Sequence, residues 1–341
     1  MQAPGFWWRK SGTAAALLSP IAAVYGSVAG RRLVQNGARI GVPVICVGNP
    51  TVGGAGKTPT AIAAARLLIG AGERPAFLTR GFGGRLAGPV RVETSHTAAD
   101  VGDEPLLLAR VAPTIVSRDR VAGARHAIAA GATIIVMDDG FQNPALAKDL
   151  SILVIDGARG IGNGQVIPAG PLRAPLAPQL ERAQAILIVG DGAGAMPATR
   201  LPTFHARLEP DRAALANLSN RRVLAFAGIG DPHKFFATLA AAGINAQIQR
   251  GFADHHRYRA DEAAALLAEA DRHDLTLVTT EKDLARMQGD PALAALAARV
   301  HVLPVELIVS EHDDFRRLVL RFRSSPHIAA RSMRTSETKE H

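Results

Sequence analysis

The chain has 341 residues, 48% of them apolar, which is enough for a sizeable buried core and, at roughly 150 residues per domain, for two domains. Its single cysteine, Cys46, excludes an intrachain disulfide and fits a reducing compartment. Thirty-nine Lys plus Arg against thirty Asp plus Glu give a net charge of +9, which points to anionic partners such as a nucleotide, an acidic substrate or an anionic membrane surface; with 4% aromatic residues and no zinc-finger or RNA-binding signature, nucleic acid is set aside.

Residues 11–30 form an uncharged run of roughly bilayer-spanning length. It is rich in Ala, Gly, Ser and Thr, and Ser19-Pro20 reads as a helix N-cap and first position in its middle. Ile21, Val24, Tyr25 and Val28 then share one helical face. With Phe6, Trp7 and Trp8 ahead and Arg9, Lys10, Arg31 and Arg32 flanking, residues 1–35 read as an amphipathic membrane helix lying in the interface, a helix on the protein's own core being the alternative.

From residue 40 the chain alternates apolar runs with helical patterns, as in an α/β protein with a mostly parallel sheet covered by helices on both faces. The expected strands are residues 42–47, 75–79, 114–116, 133–137, 152–155 and 185–189, with helices at 60–70, 105–110 and 120–130. A Gly/Ala/Pro-rich connector at 191–202 precedes a second set of strands at 223–227, 246–249, 276–279 and 300–305, with helices at 232–242, 260–272 and 283–287. The expected organisation is thus an anchor (1–35), a core domain (36–215), a smaller α/β domain contributing to the active-site cleft (216–323) and a disordered tail (324–341).

The turn after the first strand carries the chemistry. Thr51-Val52-Gly53-Gly54-Ala55-Gly56-Lys57-Thr58 reads as the phosphate-binding loop of a P-loop NTPase-like fold. Glycines let successive backbone N–H groups turn inward around phosphate oxygens, Lys57 adds a mobile cation, and Thr58 offers a hydroxyl to Mg²⁺. Thr51 stands where the usual pattern has glycine. The strand at 133–137 ends in Asp138-Asp139-Gly140, the acidic strand end that holds Mg²⁺ in such proteins. Adjacent carboxylates point to opposite faces, so one of the two meets the metal directly.

Asp103 and Glu104 precede a helix; they serve either its positive end or the reaction, as Mg²⁺ ligand and as base. In the second domain, Asp254-His255-His256 offers a catalytic or substrate-contacting imidazole, or a solvated loop histidine. Thr280-Glu281-Lys282-Asp283 loosely resembles the guanine-reading motif of GTP-binding proteins in a different order, which favours ATP over GTP.

In order along the chain come the phosphate loop, Thr79-Arg80-Gly81-Phe82-Gly83, Gly102-Asp103-Glu104-Pro105, Ser117 to Arg120 and Asp138-Asp139-Gly140-Phe141-Gln142. Pro168-Ala169-Gly170-Pro171-Leu172-Arg173, Phe252-Ala253-Asp254-His255 and Thr279-Thr280-Glu281-Lys282-Asp283 follow. This ordered set resembles the tetraacyldisaccharide 4′-kinase (lipid A 4′-kinase) family over residues 5 to about 320. The resemblance implies transfer of the ATP γ-phosphate to the 4′-hydroxyl of a tetraacyldisaccharide 1-phosphate, forming lipid IVA, by a monomer at the cytoplasmic face of the bacterial inner membrane. By the same resemblance Asp103 is the general base, assisted by His255. Lys57 holds phosphates, and Thr58, Glu104 and Asp138, with Asp139 beside it, organise Mg²⁺. Arg120 and Arg173 meet phosphate groups, and Phe82 lies among the substrate contacts.

Asn143 and Leu146 stand where the family commonly has histidines, Ala174 where it often has an acid, and Phe82 where it often has tyrosine. Two other classes compete: a membrane-associated nucleotide-switch ATPase, which usually has a lysine where this chain has Val52, and a kinase or ligase acting on a soluble small molecule.

Overall fold

The structure, a computed structural model, describes residues 3–323, so the tail expected to be disordered lies outside the described residues. Its strands are β1 Val44–Gly48, β2 Pro75–Thr79, β3 Val90–Arg91, β4 Thr114–Val116, β5 Ile134–Asp138, β6 Leu150–Asp156, β7 Ala185–Val189, β8 Thr203–Pro210, β9 Val223–Ala227, β10 Ala246–Gly251, β11 Thr276–Thr279, β12 His301–Val302 and β13 Val305–Val309. Nine form one sheet in the order β13-β8-β7-β6-β1-β5-β2-β4-β3, parallel except at its two edge pairs. The other four form a parallel sheet in the order β10-β9-β11-β12.

The central strands of the large sheet are buried along their whole length, which is why they read as unbroken apolar runs. Alternation sends Ile45 and Val47 to one face and Val44 and Cys46 to the other, each into a separate core. Helix Lys57–Gly70 covers the first face and helix Arg120–Ala129 the second. Burial pushes the Cys46 thiol up to about 11, so it behaves as a small core side chain. The register Val47↔Asp138 places the phosphate loop and the acidic strand end side by side.

The chain returns to the large sheet after the small one. Residues 305–323, expected in the smaller domain, instead supply β13, which pairs antiparallel with β8, and helix His312–Leu320. The reason is apolar burial: Phe315 and Val319 sit in the large core, with Phe315 edge-to-face on Phe204 at 5.5 Å. The smaller sheet is therefore inserted between β8 and β13.

Two details of the N-terminal segment also differ from the sequence reading. One helix runs unbroken through Thr13–Leu33 with Pro20 inside it, not starting at Pro20. The Ala16 carbonyl that Pro20 cannot satisfy accepts instead from Ser19 Oγ at 2.7 Å. The tryptophans dock on the protein: Trp7 Nε1 donates to the Pro168 carbonyl at 2.9 Å, and the Trp8 ring lies 5.3 Å from the Arg159 guanidinium. The helix buries its small residues Ala15, Ala22 and Gly26 and turns Leu17, Ile21, Val24, Tyr25 and Val28 outward. It is long and apolar enough to cross a membrane by length and composition, although it lies along the protein with one side packed.

Replacing Phe315 with Ala tests the return of the chain to the large core. The substitution is expected to cost about 3–5 kcal/mol, read as a lowered urea midpoint for loss of the large domain's signal. An unchanged midpoint would place the C-terminal helix outside that core.

Candidate active site

Backbone geometry dictates the phosphate loop. Gly53 and Gly56 have φ of 102° and 90°, a region open to glycine at no steric cost, and a Cβ on Gly56 would also stand 3.2 Å from Val189. Helix Lys57–Gly70 begins at once, so its unpaired N–H groups and positive end face the loop. The loop is braced from below: Asn49 Nδ2 donates to the Gly53 carbonyl at 3.1 Å, and Gln142 Nε2 to the Asn49 carbonyl at 2.9 Å. From the side, Val52 N–H donates to the Pro171 carbonyl and Arg173 N–H to the Pro50 carbonyl, each at 2.9 Å. Thr51, the departure from the usual glycine, is buried and bridges to Leu172 within this brace.

The two acids at the end of β5 part company, Asp138 closing the strand and Asp139 turning out of it at φ 53°. Asp138 is buried and accepts from the Thr58 hydroxyl at 2.8 Å, while its Oδ1 has no hydrogen-bond partner. Burial, then the neighbouring Asp139, push its carboxyl up to about 6. An unpartnered buried carboxylate oxygen beside a threonine hydroxyl fits a hard divalent cation such as Mg²⁺. Asp139 turns the other way, to Arg173 Nη1 at 2.8 Å and Lys57 Nζ at 3.8 Å. Burial opposes ionisation of Asp139, but those two cations hold it below the ordinary carboxylate range. Burial also lowers Lys57, against the pull of Asp139. Asp139 is thus placed as the counter-charge of Lys57 and Arg173.

Arg120 opens its helix from the N-cap Asp119 and is buried. One guanidinium nitrogen donates to the Ser117 carbonyl, and Nε has no hydrogen-bond partner. Burial, then Arg80, disfavour its charge. An arginine held this way has donor capacity left for an anion.

A second cluster forms between the sheets. Asp103 and Glu104 start helix Asp103–Ala109 after Gly102, whose φ of 92° and contact with the Phe82 carbonyl, 2.5 Å from where a Cβ would sit, exclude a side chain. His255 reaches them from the smaller domain: Nδ1 lies 3.4 Å from Asp103 Oδ1 and Nε2 3.9 Å from Glu104 Oε1. The three groups offer ligand atoms within 4.8 Å of one another. Phe82, largely exposed, meets the His255 ring edge-on at 5.1 Å. The Asp103 hydrogen bond raises His255 toward its protonated form in spite of burial. Burial works against the Asp103 charge, yet His255 and the Arg286 guanidinium hold its carboxyl far below the usual range. Burial, then Asp103, raise Glu104 against the lowering effect of Lys282.

The His255 loop stands beside the phosphate loop. A methyl at Gly230 would meet Asp254 Oδ2 at 3.3 Å and Gly54 N at 3.6 Å, so the smaller domain closes over the glycines. Bridges reinforce the closure: Arg159–Asp231 at 2.9 Å, Lys234–Asp156, and Arg257 Nη2 to the Gly83 carbonyl at 2.8 Å.

The structure thus gathers the loop 51–58 with Asp138, Asp139 and Arg173 in one group, and Asp103, Glu104, His255 and Phe82 in another. Sequence reasoning assigned no role to Lys282, which donates to Glu104 Oε1 at 2.8 Å, or to Arg286, whose Nε donates to Asp103 Oδ2 at 2.8 Å. Their signal was an i, i+4 cation pair on the helix that opens within Thr280-Glu281-Lys282-Asp283. Arg159, 3.9 Å from where a Cβ on Gly53 would sit, was missed as well, because its loop has no pattern of its own.

Comparison with known proteins bears on this arrangement. The family described as tetraacyldisaccharide-1-P 4′-kinase matches residues 14–323. Relatives named tetraacyldisaccharide 4′-kinase include one from Rhodopseudomonas palustris (strain BisB18), 56% identical over 325 residues, covering 93% of this chain and 94% of the relative. Another, from Nitrobacter winogradskyi, is 52% identical over 327 residues, covering 94% and 97%. Among solved structures, the "apo" form of LpxK from Aquifex aeolicus in complex with ATP superposes with a TM-score of 0.71 at 26% identity, over 91% of this chain and 99% of that one. Matched nearly end to end, with both acidic clusters and the phosphate loop inside the matched span, the chain belongs to the tetraacyldisaccharide-1-P 4′-kinase family.

Proposed function

We propose that this chain transfers the γ-phosphate of ATP to the 4′-hydroxyl of a tetraacyldisaccharide 1-phosphate, giving lipid IVA, as a monotopic enzyme at the cytoplasmic face of the inner membrane. Family membership supports the reaction. The observation that carries the mechanism is the approach of His255 and Asp103 from two domains beside the phosphate loop.

In this reading the loop amides and Lys57 hold the phosphates, and Arg120 and Arg173 take up phosphate charge of nucleotide or lipid. Thr58 and Asp138 would hold Mg²⁺, with Glu104 nearby, and the ion would supply charge neutralisation at the phosphate oxygens. The acceptor oxygen forms its bond to the γ-phosphorus as the bond to the leaving ADP oxygen breaks, and the hydroxyl proton passes to Asp103 Oδ1. A carboxylate held well below its usual range is a weak base. It suffices because phosphoryl transfer proceeds through a loose transition state, and the hydroxyl becomes acidic only as its bond to phosphorus forms. His255 holds Asp103 Oδ1 toward the acceptor and balances its charge. Closure of the smaller domain brings the pair together and excludes water.

The outward face of helix Thr13–Leu33 supports attachment to the bilayer. Leu17, Ile21 and Val24 are 80%, 60% and 69% exposed, more apolar surface than a helix facing only water would carry, and basic residues flank the segment.

The direct test is γ-³²P transfer from ATP to a detergent-dispersed disaccharide-1-phosphate lipid. Labelled lipid is expected from the wild type and at least about 100-fold less from Lys57→Ala. ATP hydrolysis without labelled lipid would replace this reading with a nucleotide-switch ATPase. Asp103→Ala is expected to lower kcat by about 10²–10³-fold with the KM for ATP within about threefold. Wild-type turnover would remove Asp103 from the role of base. Changing Leu17, Ile21 and Val24 together to Gln is expected to leave the melting temperature unchanged and to weaken co-sedimentation with anionic vesicles by at least about tenfold. Unchanged co-sedimentation would move the membrane contact elsewhere.

A further inference from the structure

The motif Thr280-Glu281-Lys282-Asp283 has no part in the reaction as derived so far, yet it lies against the reacting carboxylate. It opens helix Glu281–Met287 of the smaller domain, which packs on helix Asp103–Ala109 of the large one. Arg286, one turn further on, places Nε 2.8 Å from Asp103 Oδ2 and a second nitrogen on the same oxygen. The side chains of Arg286 and Asp103 are 6% and 3% exposed.

Arg286 is itself held. Its Nη1 donates to the Gly228 carbonyl at 2.6 Å and to Asp283 Oδ1 at 3.0 Å. Asp283 is fully buried and accepts in addition from the Tyr258 hydroxyl at 2.9 Å, the Gly228 N–H at 3.0 Å and the Thr280 hydroxyl at 2.6 Å. A Cβ on Gly228 would sit 3.1 Å from Asp283 Oδ1, so the small residue lets the strand end approach the carboxylate. These partners all belong to the smaller domain, so the guanidinium is oriented before it meets the large one.

The consequence concerns Asp103. Its Oδ2 is occupied by Arg286, which fixes the plane of the carboxylate and leaves Oδ1 turned to His255. We infer that Arg286, locked by Asp283, is a positioning residue that aims Asp103 Oδ1 at the acceptor hydroxyl when the two domains close. This rests on the reading of Asp103 as the proton acceptor. A misplacement of that oxygen by about an ångström is enough to cost roughly 100-fold in rate.

The test is a set of steady-state measurements on Arg286→Gln, Arg286→Lys, Asp103→Asn and the double variant Asp103→Asn/Arg286→Gln, with melting temperature and ATP affinity for each. Arg286→Gln is expected to lower kcat about 100-fold with the KM for ATP within about threefold, and Arg286→Lys to recover kcat to within about tenfold of wild type. In the Asp103→Asn background, Arg286→Gln is expected to change the residual kcat by less than about threefold, because its effect passes through Asp103. Arg286→Gln with kcat within threefold of wild type, or the full 100-fold loss repeated on Asp103→Asn, would overturn the inference. Wild-type transfer by Asp103→Asn would overturn instead the reading on which it rests. Should Arg286→Gln fail to fold, the isosteric Asp283→Asn decides: at least about fivefold lower kcat at unchanged KM for ATP supports the inference, and wild-type kcat overturns it.

Discussion

A charge taken out of water without a partner costs several kcal/mol, and the cleft between the two sheets gathers four carboxylates, Asp103 and Asp138 buried, Glu104 half-buried and Asp139 at the rim. Each is answered. Asp139 has Lys57 and Arg173, Asp138 has the Thr58 hydroxyl on one oxygen, Glu104 has Lys282, and Asp103 has Arg286 and His255. The partners of the first two belong to the large domain, so the phosphate-loop end of the site is built on one scaffold. The other two are compensated by cations that only the smaller domain carries. Separating the domains would leave Asp103 and Glu104 on one side and Lys282 and Arg286 on the other. The charge balance of Asp103 and Glu104 therefore helps to join the two halves of the molecule, alongside the Arg159–Asp231 and Lys234–Asp156 bridges.

That division explains the topology. An inserted domain has two connections to its host, and the strands that carry them, β8 and the edge strand β13, are paired with each other. Both connections of the smaller domain thus leave from one strand pair on the sheet that also holds the phosphate loop. β1 and β5 sit at the centre of that sheet and deliver the loop and Asp138 in register. The fold thus builds the phosphate loop and Asp138 on the large sheet alone, while Asp103 and Glu104 meet their cationic partners from the smaller domain.

Much of this was legible in the sequence, and the omissions have physical causes. The central strands announced themselves as continuous apolar runs because they are buried on both faces, and several of their bounds coincide with the expected ones. β8 did not, because only Phe204 and Ala206 point into the core while His205, Arg207 and Glu209 face outward, so that strand, one in from the edge, reads as polar connector. β13 was absorbed into the preceding run for want of a turn signal other than Pro304. The phosphate loop was visible in spite of Thr51, because what holds residue 51 is a bridge to Leu172, a contact no local pattern encodes. Asp103 and His255 were each visible as a residue type, but their pairing came from family resemblance: 152 positions separate them. Arg286 lies 183 positions from its partner and was invisible for the same reason.

The N-terminal helix has two unlike sides. Its inward stripe of Ala and Gly lets the backbone lie close to Val166 and Pro175, and those same small residues leave little apolar surface with which to grip the core. The large residues are on the other side, where in water they gain nothing. An apolar stripe of Leu, Ile and Val facing away from the protein is stable at low cost only where another apolar phase covers it, at about 0.8 kcal/mol per buried methylene. The docked tryptophans and Arg159 fix the helix to the segment that braces the phosphate loop, so a bilayer contact on the outer face, as proposed, would set the orientation of the whole catalytic domain. For an acceptor whose acyl chains stay in the bilayer, that orientation matters more than affinity. Confinement to the same surface raises the effective concentration of enzyme and lipid for each other, and a single weakly bound helix is enough to provide it.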